Sequence, residues 1–240
     1  MLDIKPQRLD LRDAATVPVT VAGKVFEADT SGALYWPGMS TLIVSDLHLE
    51  KGSSQAARGR LVPPYDTRET LIKLAEAIDR FEPKRVIALG DSLHDVGAAH
   101  RMSDDDLGVL HMIQENRVWL WVTGNHDPAI APRLGGSVAD ELVIEGITFR
   151  HEPRPGRVTH EIAGHLHPAA KITKLSHTVR RPCFIGNGRR MIMPAFGAYT
   201  GGLNVLDEAF EPIFGADGMH VWMMGQEGLY PIATRLLRED

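Results

Sequence analysis

The chain has 240 residues, 43% hydrophobic and 24% charged, which excludes disordered, collagenous and membrane-embedded classes and leaves room for one sizeable core. Lys and Arg number 26 against 31 Asp and Glu, and the formal net charge of −5 argues against coating nucleic acid through bulk positive charge. The one cysteine, Cys183, excludes an internal disulfide and Cys-rich zinc modules, whereas the 11 histidines stand out.

The segment Met1–Thr16 is polar, without the apolar run of a secretory leader, and no stretch reaches the ~20 apolar residues that span a bilayer, so a cytoplasmic protein without a membrane partner is expected. Val17 to Trp36 alternates as short strands joined by glycine turns. Thr41–Val44 is a brief β-branched run, and Asp66–Phe81 has helical periodicity through Leu71, Leu74, Ala75 and Ile78, with Pro63 and Pro64 ahead of it. Arg85–Leu89 reads as a buried strand, Ser103–Glu115 as a helix opening on acidic residues, and Val118–Val122 as another strand, with Trp119 and Trp121 on one core face. After Pro128 the pattern predicts only strands: 141–145, 147–150, 161–163, 190–193, 203–206 and 220–224. A βαβαβ half followed by a β half is satisfied by two sheets face to face with helices outside. No linker or repeat divides residues 1–240, so one domain is the simpler reading.

Polar clusters follow the predicted strands: Ser-Asp-Leu-His at 45–48, Gly-Asp-Ser-Leu-His-Asp at 90–95, Gly-Asn-His-Asp at 124–127, His151, and Gly-His-Leu-His at 164–167. Ligands of α/β sheets bind at the carboxyl ends of strands. Imidazole, carboxylate and amide donors without thiolate suit borderline divalent ions, with Mn first and Fe or Zn also fitting. Asp46, His48, Asp91, Asn125, His151, His165 and His167 are too many for one four-coordinate ion, so two ions are expected. A pair about 4 Å apart generates a nucleophile at neutral pH and clamps a phosphate. Singly, each residue has an ordinary use: Asp46 as a cap, Asn125 in an Asx-turn, His151 as a half-buried imidazole. Five clusters in order at strand ends are not explained that way.

These ordered motifs resemble the calcineurin-like metallophosphoesterase superfamily. The resemblance implies an α/β fold, a four-layer α-β-β-α sandwich of two mixed sheets. It also implies Asp46, His48 and His167 on one metal, Asn125, His151 and His165 on the other, and Asp91 bridging. His126 takes the place of the non-ligand histidine that contacts phosphate or protonates the leaving oxygen, and His94 resembles the extra catalytic histidine of the nuclease branch. The stretches 45–54, 63–67, 149–153, 163–170 and 194–203 are similar to the bacterial DNA-ligase-associated DNA damage response endonucleases. That likeness implies DNA as substrate and association with an ATP-dependent DNA ligase, a helicase and an exonuclease.

Arg58 with Arg60, Arg154 with Arg157, and Arg180, Arg181, Arg189 and Arg190 follow the motifs; each group is either a phosphate contact or a solvated loop. Two other functions compete with a DNA endonuclease. One is a phosphodiesterase or phosphatase for nucleotides or other small phosphoesters. The other is a scaffold without turnover, which the intact ligand motifs disfavour.

Overall fold

The computed structural model describes residues 16–60, 63, 65–174 and 177–240; the polar N-terminal stretch through residue 15, and Pro64 ahead of the first long helix, lie outside them. Short alternating segments build the first sheet: β1 (Thr16–Val21), β2 (Lys24–Asp29), β3 (Leu34–Trp36), β4 (Thr41–Val44), β5 (Arg85–Leu89), β6 (Val118–Val122) and β7 (Ser137–Ala139), in that spatial order. The first four pair antiparallel, and β4 to β7 run parallel.

Helices α1 (Lys51–Ala57), α2 (Asp66–Phe81), α3 (Ala98–Arg101) and α4 (Asp104–Gln114) lie in the crossovers. Of the α2 stripe expected from its periodicity, Leu71, Leu74 and Ile78 are buried and Ala75 is half-buried, with Phe81 also buried, and Asp66 and Glu69 sit in its first turn where the helix dipole favours them. Ser103 caps α4 by accepting from the Asp106 amide at 3.1 Å.

The second sheet takes β8 (Glu141–Ile144), β9 (Ile147–Arg150), β10 (Glu161–Ala163), β11 (Pro168–Lys174), β12 (His177–Gly186), β13 (Arg190–Ile192), β14 (Leu203–Asn204), β15 (His220–Met224) and β16 (Leu229–Ile232). It is ordered β14-β11-β12-β13-β10-β9-β8, with β15 joining β12 to β16. Its strands β9, β10 and β13 run parallel.

Three apolar clusters mark the layer boundaries. One packs Leu71, Leu74 and Leu110 of the helices on Leu42, Val86 and Trp121 of the first sheet. A second joins Phe26, Ile43 and Ile87 of the first sheet to Phe149, Ile162 and Phe184 of the second. The third covers the far face of the second sheet with Phe210 and Phe214. The result is the α-β-β-α sandwich with two mixed sheets, but its last layer is thin: the short helix α5 (Glu211–Phe214) and neighbouring 3-10 turns. That turn of helix, together with α1, α3, β7, β11, β12 and β16, departs from the sequence reading, and β13 and β14 end at Ile192 and Asn204 rather than 193 and 206.

Phe149 is fully buried between the sheets, 6.3 Å ring to ring from Trp36. Phe149→Ala is expected to lower unfolding free energy by about 3–5 kcal/mol, read from denaturant titration.

Candidate metal centre

Each polar cluster leaves the carboxyl end of a strand: 45–48 after β4, 90–95 after β5, 124–127 after β6, His151 after β9, and 164–167 after β10. The parallel strands of both sheets therefore deliver their loops to one edge of the sandwich. There Asp46, His48, Asp91, His165 and His167 adopt positive φ of 54°, 45°, 45°, 70° and 44°. Left-handed backbone costs a non-glycine residue about 1–2 kcal/mol, so the strain gathers at one place. Backbone bonds hold these turns: Asp46 N–H to Gly90 O at 3.2 Å, His48 N–H to Asp91 O at 2.9 Å, and Gly164 N–H to His151 O at 3.0 Å. Gly124 and Gly164 serve close approach rather than positive φ, since a Cβ on the first would strike the Asp91 carboxylate and on the second the Ser45 hydroxyl.

Asp46, His48 and His167 present ligand atoms within 4.8 Å of one another, as do Asp91, His151 and His165. In the first group His167 Nε2 is 3.1 Å from Asp46 Oδ1 and 3.4 Å from His48 Nε2. In the second, His151 Nε2 is 3.4 Å from Asp91 Oδ2, 3.1 Å from His165 Nδ1 and 3.0 Å from Asn125 Oδ1. Asp91 stands between the groups, with Oδ2 also 3.9 Å from His48 Nε2. The sequence-predicted seven are thus brought together, Asp46, His48, Asp91 and His151 buried and Asn125 exposed.

Burial pushes the Asp46 carboxyl up, but the hydrogen bond and charge of His167, the charge of His151 and the Ser45 hydroxyl outweigh it, leaving it below the ordinary value. Burial opposes ionisation of Asp91 as well, yet hydrogen bonding to His151 brings its carboxyl down to about 2. Desolvation holds His48 neutral, with its pKa at about 3. His151 goes the other way: burial is overcome by Asp91 and Asp46, which raise it to about 9. Its Nδ1 donates to Leu89 O at 3.0 Å, so the ring is oriented with Nε2 toward Asp91. Oxygen and imidazole donors converging from strained turns fit a borderline divalent ion at each group.

His126 and His94 flank this centre. His126 N–H donates to Asp91 Oδ1 at 2.9 Å, and its Nδ1 meets His94 O at 2.9 Å. The two rings stack 5.3 Å apart, and His94 Nδ1 lies 3.4 Å from His48 Nδ1. His126 Nε2 is 3.9 Å from Asp91 Oδ2, and the side chain is 41% exposed, so it can meet a ligand.

Asp127, which closes the Gly-Asn-His-Asp cluster and is not one of the seven candidate ligands, organises the centre from behind. Its carboxylate accepts from the amides of Asp91, Ser92, Leu93 and Gly124 at 2.7–3.0 Å, tying the β5 loop to the β6 loop. The motif spacing shows a carboxylate at 127 but not the amides it meets 34–36 positions away. The arginines divide. Arg190 is 2% exposed and donates to Arg154 O and Gly156 O, so it supports a loop and is no phosphate contact. Arg180 is paired with Asp240 at 2.9 Å.

A family model described as calcineurin-like phosphoesterase matches residues 39–184. No curated protein matches the chain. Among solved structures it is similar to the Pseudomonas putida nuclease MPE, with 26% identity, TM-score 0.70, and coverage of 90% of this chain and 100% of that one. It is also similar to Yfce, a phosphoesterase from E. coli, at 13% identity and TM-score 0.42 over 80% and 98% of the two chains. A protein of unknown function from Aquifex aeolicus matches at 15% identity and TM-score 0.38 over 53% and 78%.

Asp127→Ala strands three buried amides and the half-buried one of Gly124 and is expected to cost about 3–5 kcal/mol in denaturant titration, with divalent-metal content falling in parallel. For metal-free protein, the His151 pKa of about 9 lies above its ordinary 6.5, so its stabilisation is full below pH 6.5 and lost as pH rises through about 9. Melting temperature in EDTA should therefore fall over that window; a flat or rising profile contradicts the coupling of His151 to Asp91.

Proposed function

Because this chain belongs to the calcineurin-like phosphoesterase family, we propose that it is a dinuclear metal-dependent phosphodiesterase whose substrate is DNA, cut as an endonuclease. The observation that carries the reading is the pair of ligand groups, Asp46/His48/His167 and Asp91/His151/His165, abutting across the buried Asp91. Two divalent ions, Mn first and Fe or Zn also suited, would supply charge neutralisation at the phosphoryl oxygens and a nucleophile at neutral pH.

The chain's own groups do the rest. Asp91 lies between the two groups and would hold both halves in register, while Asn125 adds an amide oxygen on the exposed side. His126 Nδ1 donates to the His94 carbonyl, so Nε2 faces a ligand and is the nitrogen that would give a proton to a departing oxygen when the ring is doubly protonated, leaving the neutral Nδ1–H imidazole behind. His94, stacked on His126, would set its orientation.

Support for DNA comes from similarity to a protein named as a nuclease, at 26% identity over 90% of the chain, and from the five stretches that resemble the ligase-associated endonucleases. The same proposal includes a repair role in the cytoplasm beside an ATP-dependent ligase, a helicase and an exonuclease. No helix among the described residues is long and apolar enough to cross a membrane.

The test is incubation with Mn²⁺ on circular and linear DNA, single- and double-stranded, alongside a bis-aryl phosphate diester. Asp91→Asn is expected to lose bound metal and activity together, and His126→Ala to keep metal while turnover falls by about 10²–10⁴-fold. Full activity of His126→Ala on an unactivated diester removes its assigned role. Hydrolysis of the bis-aryl ester or of mononucleotides without DNA cleavage assigns the chain to small phosphoesters instead.

A further inference from the structure

His48 has a second ring nitrogen that the dinuclear centre does not use. Its Nε2 lies 3.4 Å from His167 Nε2 and 3.9 Å from Asp91 Oδ2, within reach of the first ligand group. Its Nδ1 instead meets His94 Nδ1 at 3.4 Å. There His48, His94 and His126 form a third set, in which one ring nitrogen of each lies within 4.8 Å of one from each of the others. The three ring centroids are 5.3, 5.3 and 5.5 Å apart, so no ring stands between the other two. Neither His94 nor His126 is among the seven ligands assigned to the centre.

The hydrogen bonds around this set leave lone pairs for an ion. His126 Nδ1 donates to the His94 carbonyl at 2.9 Å, so the lone pair of the neutral ring is on Nε2. Two ring nitrogens 3.4 Å apart do not both carry a proton into the space between them, so His48 or His94 turns a lone pair to that gap. Donors held about 2.0–2.1 Å from one tetrahedral ion stand about 3.3–3.4 Å from each other, the spacing that His48 and His94 already have. The His94 amide bonds Leu49 O at 3.0 Å, which fixes its backbone to the turn carrying His48. His48 is buried, His94 half-buried and His126 exposed, so the set opens to solvent, where a water can complete four ligands.

Three imidazoles without a carboxylate favour a different ion from the oxygen-bearing groups beside them. Mn²⁺ binds nitrogen donors most weakly of the first-row series and Cu²⁺ most tightly, while imidazole also suits Zn²⁺. We propose that His48, His94 and His126 form a separate site for a nitrogen-preferring divalent ion, Zn²⁺ or Cu²⁺, whose occupancy holds the centre in an inactive form. The site stands on its own geometry, and only its inhibitory effect rests on the function proposed above. A neutral imidazole that ligates through one nitrogen keeps its proton on the other. His48 bound through Nδ1 therefore turns an N–H at Nε2 toward His167 and Asp91 and no longer ligates in the first group. The same ion takes the lone pair at His126 Nε2, where the proton for a departing oxygen would be carried.

Electron paramagnetic resonance of the metal-free full chain with substoichiometric Cu²⁺ counts the ligating nitrogens without depending on turnover. Each dinuclear group contains two imidazoles, His48 with His167 and His151 with His165, whereas this site contains three. The wild-type spectrum should show superhyperfine structure from three nitrogens. His94→Ala and His126→Ala should each reduce it to two, and His165→Ala should leave three. Two nitrogens in the wild type, or three retained in either His94→Ala or His126→Ala, overturn the site. Elemental analysis after gel filtration with Cu²⁺ and excess Mn²⁺ should find at most two ions per chain, and three overturn the mutual exclusion. Copper held by three nitrogens in a chain that hydrolyses no phosphodiester with Mn²⁺ upholds the site and overturns the function proposed above.

Discussion

The burial of Asp46 is the constraint to which the rest of the site answers. Its carboxylate is inaccessible to solvent, where an ionised group survives only with partners on every side. Those partners come from separate parts of the chain: the Ser45 hydroxyl, the His165 amide at 3.1 Å, and His167 Nε2 at 3.1 Å. Its backbone adds Gly90 O and the Gly197 amide. One residue thereby fastens the loops after β4, β5, β10 and β13, which means the two sheets cannot shift against each other without exposing or unpairing a carboxylate. The strained φ values at the neighbouring turns persist because this network over-determines them.

Behind the centre, Asp127 repeats the device on a smaller scale. Its carboxylate is drawn up to about 6 by burial, partly offset by the amides it accepts, with the Asp91 charge adding to the rise. Four N–H donors are nevertheless what a buried carboxylate needs, and they fix Asp91 and Gly124 in one unit. The close approach at Gly124 follows, since any side chain there would fill the space that the Asp91 carboxylate occupies.

What the sequence disclosed depended on whether the physical cause was local. Strands β4, β5, β6, β9 and β10 and helices α2 and α4 carry their own periodicity or caps, and their motifs sit at their carboxyl ends. Helix α1, Lys-Gly-Ser-Ser-Gln-Ala-Ala, has poor intrinsic propensity and no apolar stripe; it is held by the Asp66 carboxylate on its Gly52 amide and by Arg101 on Ser53. Strand β12 is exposed from His177 to Pro182 and buried only from Cys183 to Gly186, so no single alternation runs through it. It is set by pairing to β11 over its first part and to β13 and β15 over its second. Arg190 looked like surface charge because the carbonyls it meets, Arg154 O and Gly156 O, lie more than thirty positions earlier.

The electrostatics of the centre complete the connection from fold to chemistry. Burial keeps His48 neutral, and burial with the His151 charge does the same for His165, so their nitrogens keep lone pairs for coordination. His151 is different because Asp91 and Asp46 hold a proton on it. In the absence of metal that proton offsets part of the repulsion between two carboxylates whose side chains face the same small space. A divalent cation would supply the same compensation more strongly and release the proton, so affinity for metal must be coupled to pH through His151. Without an ion the cluster carries its compensating proton on His151, and its two carboxylates remain charged enough to favour a cation.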